Sequence, residues 1–184
     1  MDHTRTLIAV LGGLLLGAGL SPAPLRSQGY PFSQRGSVTQ MVAFTEFRVE
    51  YGRPVARGRA LFGALVPWDA VWHPGADSAS VLQVNEDVLL DGKPLRAGDY
   101  SLWLLPRAQG SWTLILSREA RVFHTPYPGA EHDALRLEVM PQAASHMESL
   151  AIYFSQVLRD EAELRLHWGS TYVAVHVKAA HRPD

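Results

Sequence analysis

The chain has 184 residues, of which 47% are hydrophobic, and a formal net charge of −1. This length accommodates one domain with a hydrophobic core, and the near-neutral charge gives no electrostatic basis for binding nucleic acid. The sequence has no cysteine, which excludes disulfides, thiolate catalysis, thiolate metal ligands and a lipid-modified N-terminal cysteine. The chemistry open to this protein therefore rests on arginine, histidine and carboxylate side chains.

The N-terminus carries an uninterrupted apolar run, Leu7 to Leu20, preceded by Arg5. The run is shorter than the roughly 20 residues that a membrane-spanning helix needs, and it matches the core of a secretory signal. We therefore interpret residues 1–28 as a signal peptide with a short linker, and residues 29–184 as one periplasmic or secreted domain without a stable membrane anchor. An uncleaved N-terminal anchor is the alternative.

Polar and apolar residues alternate along three segments, around Val49, Leu137 and Leu166. A period of two is typical of strands with one face on the core and the other in water. Asp91-Gly92 lies between two short apolar stretches and predicts a two-residue hairpin.

Four further segments are apolar at consecutive positions, which is typical of central strands buried on both faces. They are Tyr100–Leu105, Trp112–Leu116, Leu150–Phe154 and Tyr172–Val177. About nine to ten short strands with little helix predict an all-β, antiparallel two-sheet sandwich or a partly closed barrel.

Two long loops, 52–77 and 119–133, interrupt the succession of short strands and tight turns. Long loops on a β scaffold are where functional sites usually lie. The first contains Arg53, Arg57 and Arg59, whose guanidinium groups could bind a carboxylate, phosphate or sulfate. Alternatively, these arginines pair with Glu46, Glu50 or backbone carbonyls and fix the loop to the sheet.

Trp68 and Trp72 lie in the same loop. Exposed tryptophans can stack on sugar rings, whereas buried ones would cover the end of the sandwich and would need partners for their indole N–H groups. Both interpretations are open at this stage.

His73 and Asp77 flank a tight turn and could join His124 or His132 of the second loop in a metal site of imidazole and carboxylate ligands. A metal-dependent hydrolase using His73, Asp77, His124 and Asp133 is the corresponding enzyme hypothesis. The spacing matches no compact metal motif, and the sequence has no Gly-x-Ser-x-Gly nucleophile elbow.

The sequence of the first loop resembles that of the secreted bacterial family catalogued as domain of unknown function 2911 (DUF2911). The resemblance extends from about Gly36 to Val177 and is carried by Tyr51-Gly52-Arg53-Pro54, Arg57-Gly58-Arg59, Phe62-Gly63, Val66-Pro67, Val71-Trp72, Gly75-Ala76, Ala97–Leu102, Pro106 and Trp112-Thr113. It implies an exported protein with no assigned activity.

The chain departs from that family pattern at two places: His73 stands where the family usually has arginine, and Asp77-Ser78 where it usually has Asn-Glu. These departures make a histidine–carboxylate site more attractive here.

We expect a binding protein rather than an enzyme, with a small anionic molecule or a glycan as its partner and no obligatory cofactor. The predicted ligand-binding residues are Tyr51, Arg53, Arg57, Arg59, Trp72 and His73, and a divalent metal would use His73, Asp77 and His124. A metal-dependent hydrolase and a structural or envelope-assembly protein are the alternatives, and the last predicts an exposed apolar patch and no convergent polar pocket.

Overall fold

The computed structural model describes residues 32–179, and within them the predicted two-sheet antiparallel sandwich is confirmed. The signal segment predicted for residues 1–28 lies outside the described residues, so export stays a prediction. Within residues 32–179 there is no helix with the length and apolar character to span a bilayer.

Ten strands and one 3₁₀ helix, Ala130–His132, make up the described elements. In chain order the strands are β1 Gln34–Val42, β2 Thr45–Arg53, β3 Ser80–Val84, β4 Val88–Leu90, β5 Lys93–Leu95, β6 Gly98–Leu105, β7 Trp112–Ser117, β8 Asp133–Val139, β9 Gln142–Val157 and β10 Glu161–Ala179.

One sheet has six strands in the order β1-β2-β3-β6-β7-β8, and the other has four in the order β5-β4-β10-β9. All the pairings are antiparallel, and the predicted hairpin at Asp91-Gly92 is confirmed by the pairing of Leu90 with Lys93. Each sheet ends in two edge strands, β1 and β8 in one and β5 and β9 in the other, so the sheets do not close into a barrel.

The strand periodicity explains how the two sheets share one core. In β6, Leu102 and Leu104 face the space between the sheets, where they join a cluster that also contains Leu164 and Leu166 of β10. Trp103 lies on the opposite face of β6, in a second cluster with Ala79 and Ile115 that Val122 and Tyr127 of the 119–133 loop cover. This second cluster explains why β6 and β7 are apolar at consecutive positions.

Leu150–Phe154 was predicted to be a central strand, and this was wrong, because β9 is an edge strand. The segment after β2 shields part of this edge: Leu150 N–H donates to the Pro54 carbonyl at 2.9 Å, and Val55 forms a bridge with Ser149. Its residues are therefore apolar without being flanked by strands on both sides.

Replacing Leu116 with alanine should lower the free energy of unfolding by about 2–5 kcal/mol, because the side chain is fully buried between the sheets and its removal leaves a cavity. Leu158, in the turn between β9 and β10, is 55% exposed, and Leu158→Ala should change stability by no more than about 0.5 kcal/mol. Urea unfolding of both variants measures the difference. Equal losses would contradict the assignment of the core.

Candidate functional site

The connection from β2 to β3 is fixed across one end of the sandwich by backbone hydrogen bonds to strands of both sheets. Trp72 pairs with Leu104 of β6 in both directions, at 2.8 and 2.7 Å. Ala56 N–H donates to the Glu148 carbonyl of β9 at 2.8 Å. Because backbone groups make these contacts, the path of the loop depends little on its surface side chains.

A close approach of two backbone segments closes the base of this loop. A Cβ placed on Gly52 would lie 2.4 Å from the carbonyl oxygen of Ala76, a distance that no side chain could tolerate. Gly52 therefore allows the end of the first loop to pack against its beginning.

The 119–133 loop pairs with the end of the first loop in a short antiparallel contact. His124 N–H donates to the Asp77 carbonyl at 3.1 Å, and Ala79 N–H donates to the Val122 carbonyl at 3.0 Å. This pairing brings the rings of His73 and His124 to a centroid separation of 5.4 Å, with an angle of 28° between their planes.

The two loops, together with residues before β1 and in β10, line an open cleft of about 640 Å³. Its lining combines a charged and polar side with an apolar side, and consists of Phe32, Ser33, Pro54, Val55, Arg57, Arg59, Leu65, Val66, Val71, Trp72, His73, Gly75, Ala76, Asp77, His124, Thr125 and Trp168.

His73 is the most constrained polar residue of the cleft. Its side chain is 5% exposed, and its Nε2 has no hydrogen-bond partner among the described residues. Burial lowers the pKa of His73 from 6.5 to about 4; the neighbouring His124 also lowers this pKa, while Asp77 and the backbone of Ser78 raise it. A buried polar atom without a partner costs about 1–3 kcal/mol.

The ring of His124 is oriented by the same backbone carbonyl that receives its amide hydrogen. His124 Nδ1 lies 2.8 Å from the carbonyl oxygen of Asp77. Since a carbonyl oxygen only accepts, Nδ1 carries the hydrogen, and the lone pair of the neutral ring is on Nε2.

Arg57 and Arg59 bring positive charge to the cleft. The Arg57 guanidinium lies 4.2 Å from the centre of the Phe32 ring, and Arg59 donates to the carbonyls of Ala56 and Val55 at 2.9 and 2.6 Å. Within residues 32–179 neither guanidinium forms an ion pair with a carboxylate. Arg59 therefore binds backbone carbonyls, as the structural interpretation of the arginines predicts, and it also lines the cleft.

Two tryptophans form the apolar wall. Trp72 stacks on Trp168 of β10 with ring centroids 5.9 Å apart and an angle of 13°, and Phe62 packs edge-on against Trp72. Trp68 lies outside the lining and stacks on Phe62 instead. A ligand entering the cleft therefore meets Trp72 as part of a packed aromatic group.

Two of the predicted ligand-binding residues are not brought to the cleft. Tyr51 is buried in the core and its hydroxyl donates to the Ile152 carbonyl at 3.2 Å. Arg53 Nε donates to the Leu150 carbonyl at 3.1 Å. Both side chains join β2 to β9, which favours the structural interpretation for them.

Asp133 and His132 also lie outside the lining. Asp133 accepts hydrogen bonds from Tyr127 and from Arg136, and burial together with the Asp133 bond raises the pKa of Tyr127 to about 12. His132 faces Glu119 and Glu131. The hydrolase hypothesis thus loses one of its four residues, while His73, Asp77 and His124 do line one cleft.

Trp168 and Phe32 are lining residues that sequence reasoning missed. Trp168 belongs to a strand with ordinary alternation, and nothing local indicates that β10 places it against Trp72. Phe32 lies in a polar lead-in, and its proximity to Arg57 depends on the fold of the loop.

The free energy of unfolding should fall between pH 6.5 and pH 4 because of His73. In this range the unfolded chain binds a proton at His73, whereas the folded chain, with a pKa of about 4, does not. The contribution is complete above pH 6.5 and decreases as the pH falls, by about 3 kcal/mol in total. Urea unfolding across this range, with EDTA present, should give a flatter pH profile for His73→Asn than for the wild type. Parallel profiles would contradict the buried, neutral ring.

Comparison with known proteins gives one match. The model of the family described as protein of unknown function (DUF2911) matches residues 33–177, which include β1 to β9, all of β10 except its last two residues, and both loops of the cleft. No curated protein and no solved structure matches the chain. The resemblance noted in the sequence is thereby confirmed, and the chain belongs to the DUF2911 family.

Proposed function

We propose that this protein binds a small organic anion in the cleft between its two long loops, without chemical conversion. The observation that carries the proposal is a convergence on one cleft: within residues 32–179, the guanidinium groups of Arg57 and Arg59 form no ion pair, and the buried Nε2 of His73 has no hydrogen-bond partner.

Electrostatics favours an anion over a neutral sugar. Neither Arg57 nor Arg59 forms an ion pair within residues 32–179. The neighbouring Glu148 carboxylate accepts the backbone N–H of Arg57 at 2.7 Å, and no ion pair joins it to either guanidinium, so both remain available to a ligand carboxylate. Charge-assisted hydrogen bonds from a guanidinium are about twice as strong as neutral ones. Asp77 is the opposing charge on the lining, and it limits the site to ligands with a localised anionic group.

The apolar residues of the lining indicate what kind of group the anion carries. Leu65, Val66, Val71, Trp72 and Trp168 provide apolar surface, which stabilises a bound hydrocarbon or ring by removing it from water. A carboxylate joined to an aromatic or aliphatic group fits this division, and phenylacetate is a simple probe of it.

A structural or envelope-assembly role is the other candidate, and it was expected to come without a convergent polar pocket. The cleft therefore argues for ligand binding. We also place this binding outside the cytoplasm, on the strength of the apolar run from Leu7 to Leu20.

Phenylacetate should quench or shift the tryptophan fluorescence of the protein, because Trp72 and Trp168 line the cleft, and uncharged phenylacetamide should bind more weakly. Replacing Arg57 with glutamine should weaken phenylacetate binding about 5- to 30-fold, as expected for the loss of a charge-assisted hydrogen bond. Titrations at low and moderate salt, with EDTA present, measure these affinities.

Arg53→Gln is the matched control, since Arg53 lies in the same sequence cluster but binds a carbonyl of β9. This variant should lower thermal stability and leave the affinity unchanged. If Arg57→Gln changed only stability, or if phenylacetamide bound as well as phenylacetate, the proposal would be wrong.

A further inference from the structure

We propose that His73 and His124 together bind a divalent transition metal ion, with Zn²⁺ as the best candidate, and that the carboxylate of the cleft ligand completes its coordination. This inference rests on the proposed function only for the last ligand. The two neighbouring imidazoles are a property of the protein itself.

The first metal ligand is Nε2 of His73. His73 is only 5% exposed and belongs to the lining of the cleft. Its Nε2 has no hydrogen-bond partner among the described residues. A Cβ placed on Gly75 would lie 3.1 Å from Nε2. The same point lies 2.7 Å from Ser80 Oγ, so any side chain at residue 75 would crowd Nε2, and glycine is required beside this nitrogen.

The second ligand is Nε2 of His124. Its Nδ1–H donates to the Asp77 carbonyl at 2.8 Å, and this leaves the lone pair on the opposite nitrogen. Metal-binding histidines usually make this type of second hydrogen bond, because it fixes the tautomer and the orientation of the ring. His124 is therefore prepared for metal binding by its backbone neighbour.

The separation of the rings suits a single ion. Two imidazoles that bind one tetrahedral zinc through nitrogen atoms at about 2.0–2.1 Å have ring centres about 5 Å apart. The centres of His73 and His124 are 5.4 Å apart, so they need little approach.

The pair leaves coordination positions open. Within the described part of the chain, no three His, Asp or Glu side chains are grouped closely enough to form a complete metal site. Asp77 is the nearest candidate for a third ligand because it also lines the cleft. A site with two imidazoles favours Zn²⁺, Cu²⁺ or Ni²⁺ over Mg²⁺ or Ca²⁺, and open positions are typical of metal sites that bind a further molecule.

Charge balance links the metal to the anion. Arg57 and Arg59 lie on the same cleft and oppose a bare cation. An anionic ligand reduces this repulsion, because its carboxylate can contact the metal and a guanidinium together. We therefore expect Zn²⁺ and phenylacetate to strengthen each other's binding.

Calorimetric titration of the untagged, full-length, EDTA-treated and dialysed chain with Zn²⁺ tests the proposal. One ion should bind per chain, more tightly when phenylacetate is present. His124→Ala, at a half-buried position, should weaken Zn²⁺ binding at least about tenfold, as should His73→Asn. His176→Ala is the matched control and should bind Zn²⁺ as the wild type does, since His176 is exposed and faces Glu161 on the surface. In the wild type, Zn²⁺ should also shift the ring NMR signals of His73 and His124.

Absence of Zn²⁺ binding, or equal binding by His124→Ala and the wild type, would overturn the metal site. Shifts confined to other histidines would do the same. Because the phenylacetate titrations of the Arg57 variant contain EDTA, anion binding that persists there without any Zn²⁺ binding would refute the metal inference alone. Loss of phenylacetate binding with Zn²⁺ binding retained would refute the proposed function alone.

Discussion

The site depends on one backbone contact, the approach of Gly52 to Ala76 at the base of the first loop. There the carbonyl of Ala76 occupies the space that a side chain at position 52 would need. Once the loop is closed at its base, the pairing of Trp72 with Leu104 sets its depth over the end of the sandwich. The positions of His73 and Asp77 follow from these two constraints, and His124 follows from its pairing with Asp77.

The buried imidazole of His73 gives this arrangement its functional meaning. A core position for a ring of this size could be filled by an apolar side chain without an unpaired nitrogen. The protein instead keeps a buried polar atom that has no partner within residues 32–179, next to a second imidazole. Stability is lowered locally at a place where a bound group could recover it, and such positions are frequent in functional sites.

The strands could be predicted because their signals are local. Alternation around Val49 and Leu166 and the turn at Asp91-Gly92 depend on neighbouring residues alone, and these predictions agree with β2, β10 and the β4–β5 hairpin. The edge position of β9 could not be predicted. On the side away from β10, β9 is hydrogen-bonded to a non-strand segment of the first loop, and no local pattern in β9 indicates this contact.

The site could be predicted only in part. The first loop and its histidine were indicated by composition, but Arg53 and Arg57 could not be separated. Arg53 ends a strand and contacts β9, whereas Arg57 has a φ of 53° and a backbone N–H bound to Glu148. Trp168 reaches the cleft through long-range sheet register, to which a linear sequence gives no direct access.

The central claim is that His73, whose Nε2 has no partner within residues 32–179, and Arg57, whose guanidinium forms no ion pair there, line one anion-binding cleft. A crystal structure of the protein grown with phenylacetate tests it most directly. We predict electron density for the ligand in the cleft, with its carboxylate bound to the Arg57 guanidinium and next to His73. Nε2 of His73 would either donate its hydrogen to the carboxylate or, in the other tautomer, bind a metal ion that the carboxylate also contacts. An ordered structure in which a protein group satisfies His73 Nε2 and the cleft holds no phenylacetate would contradict the claim.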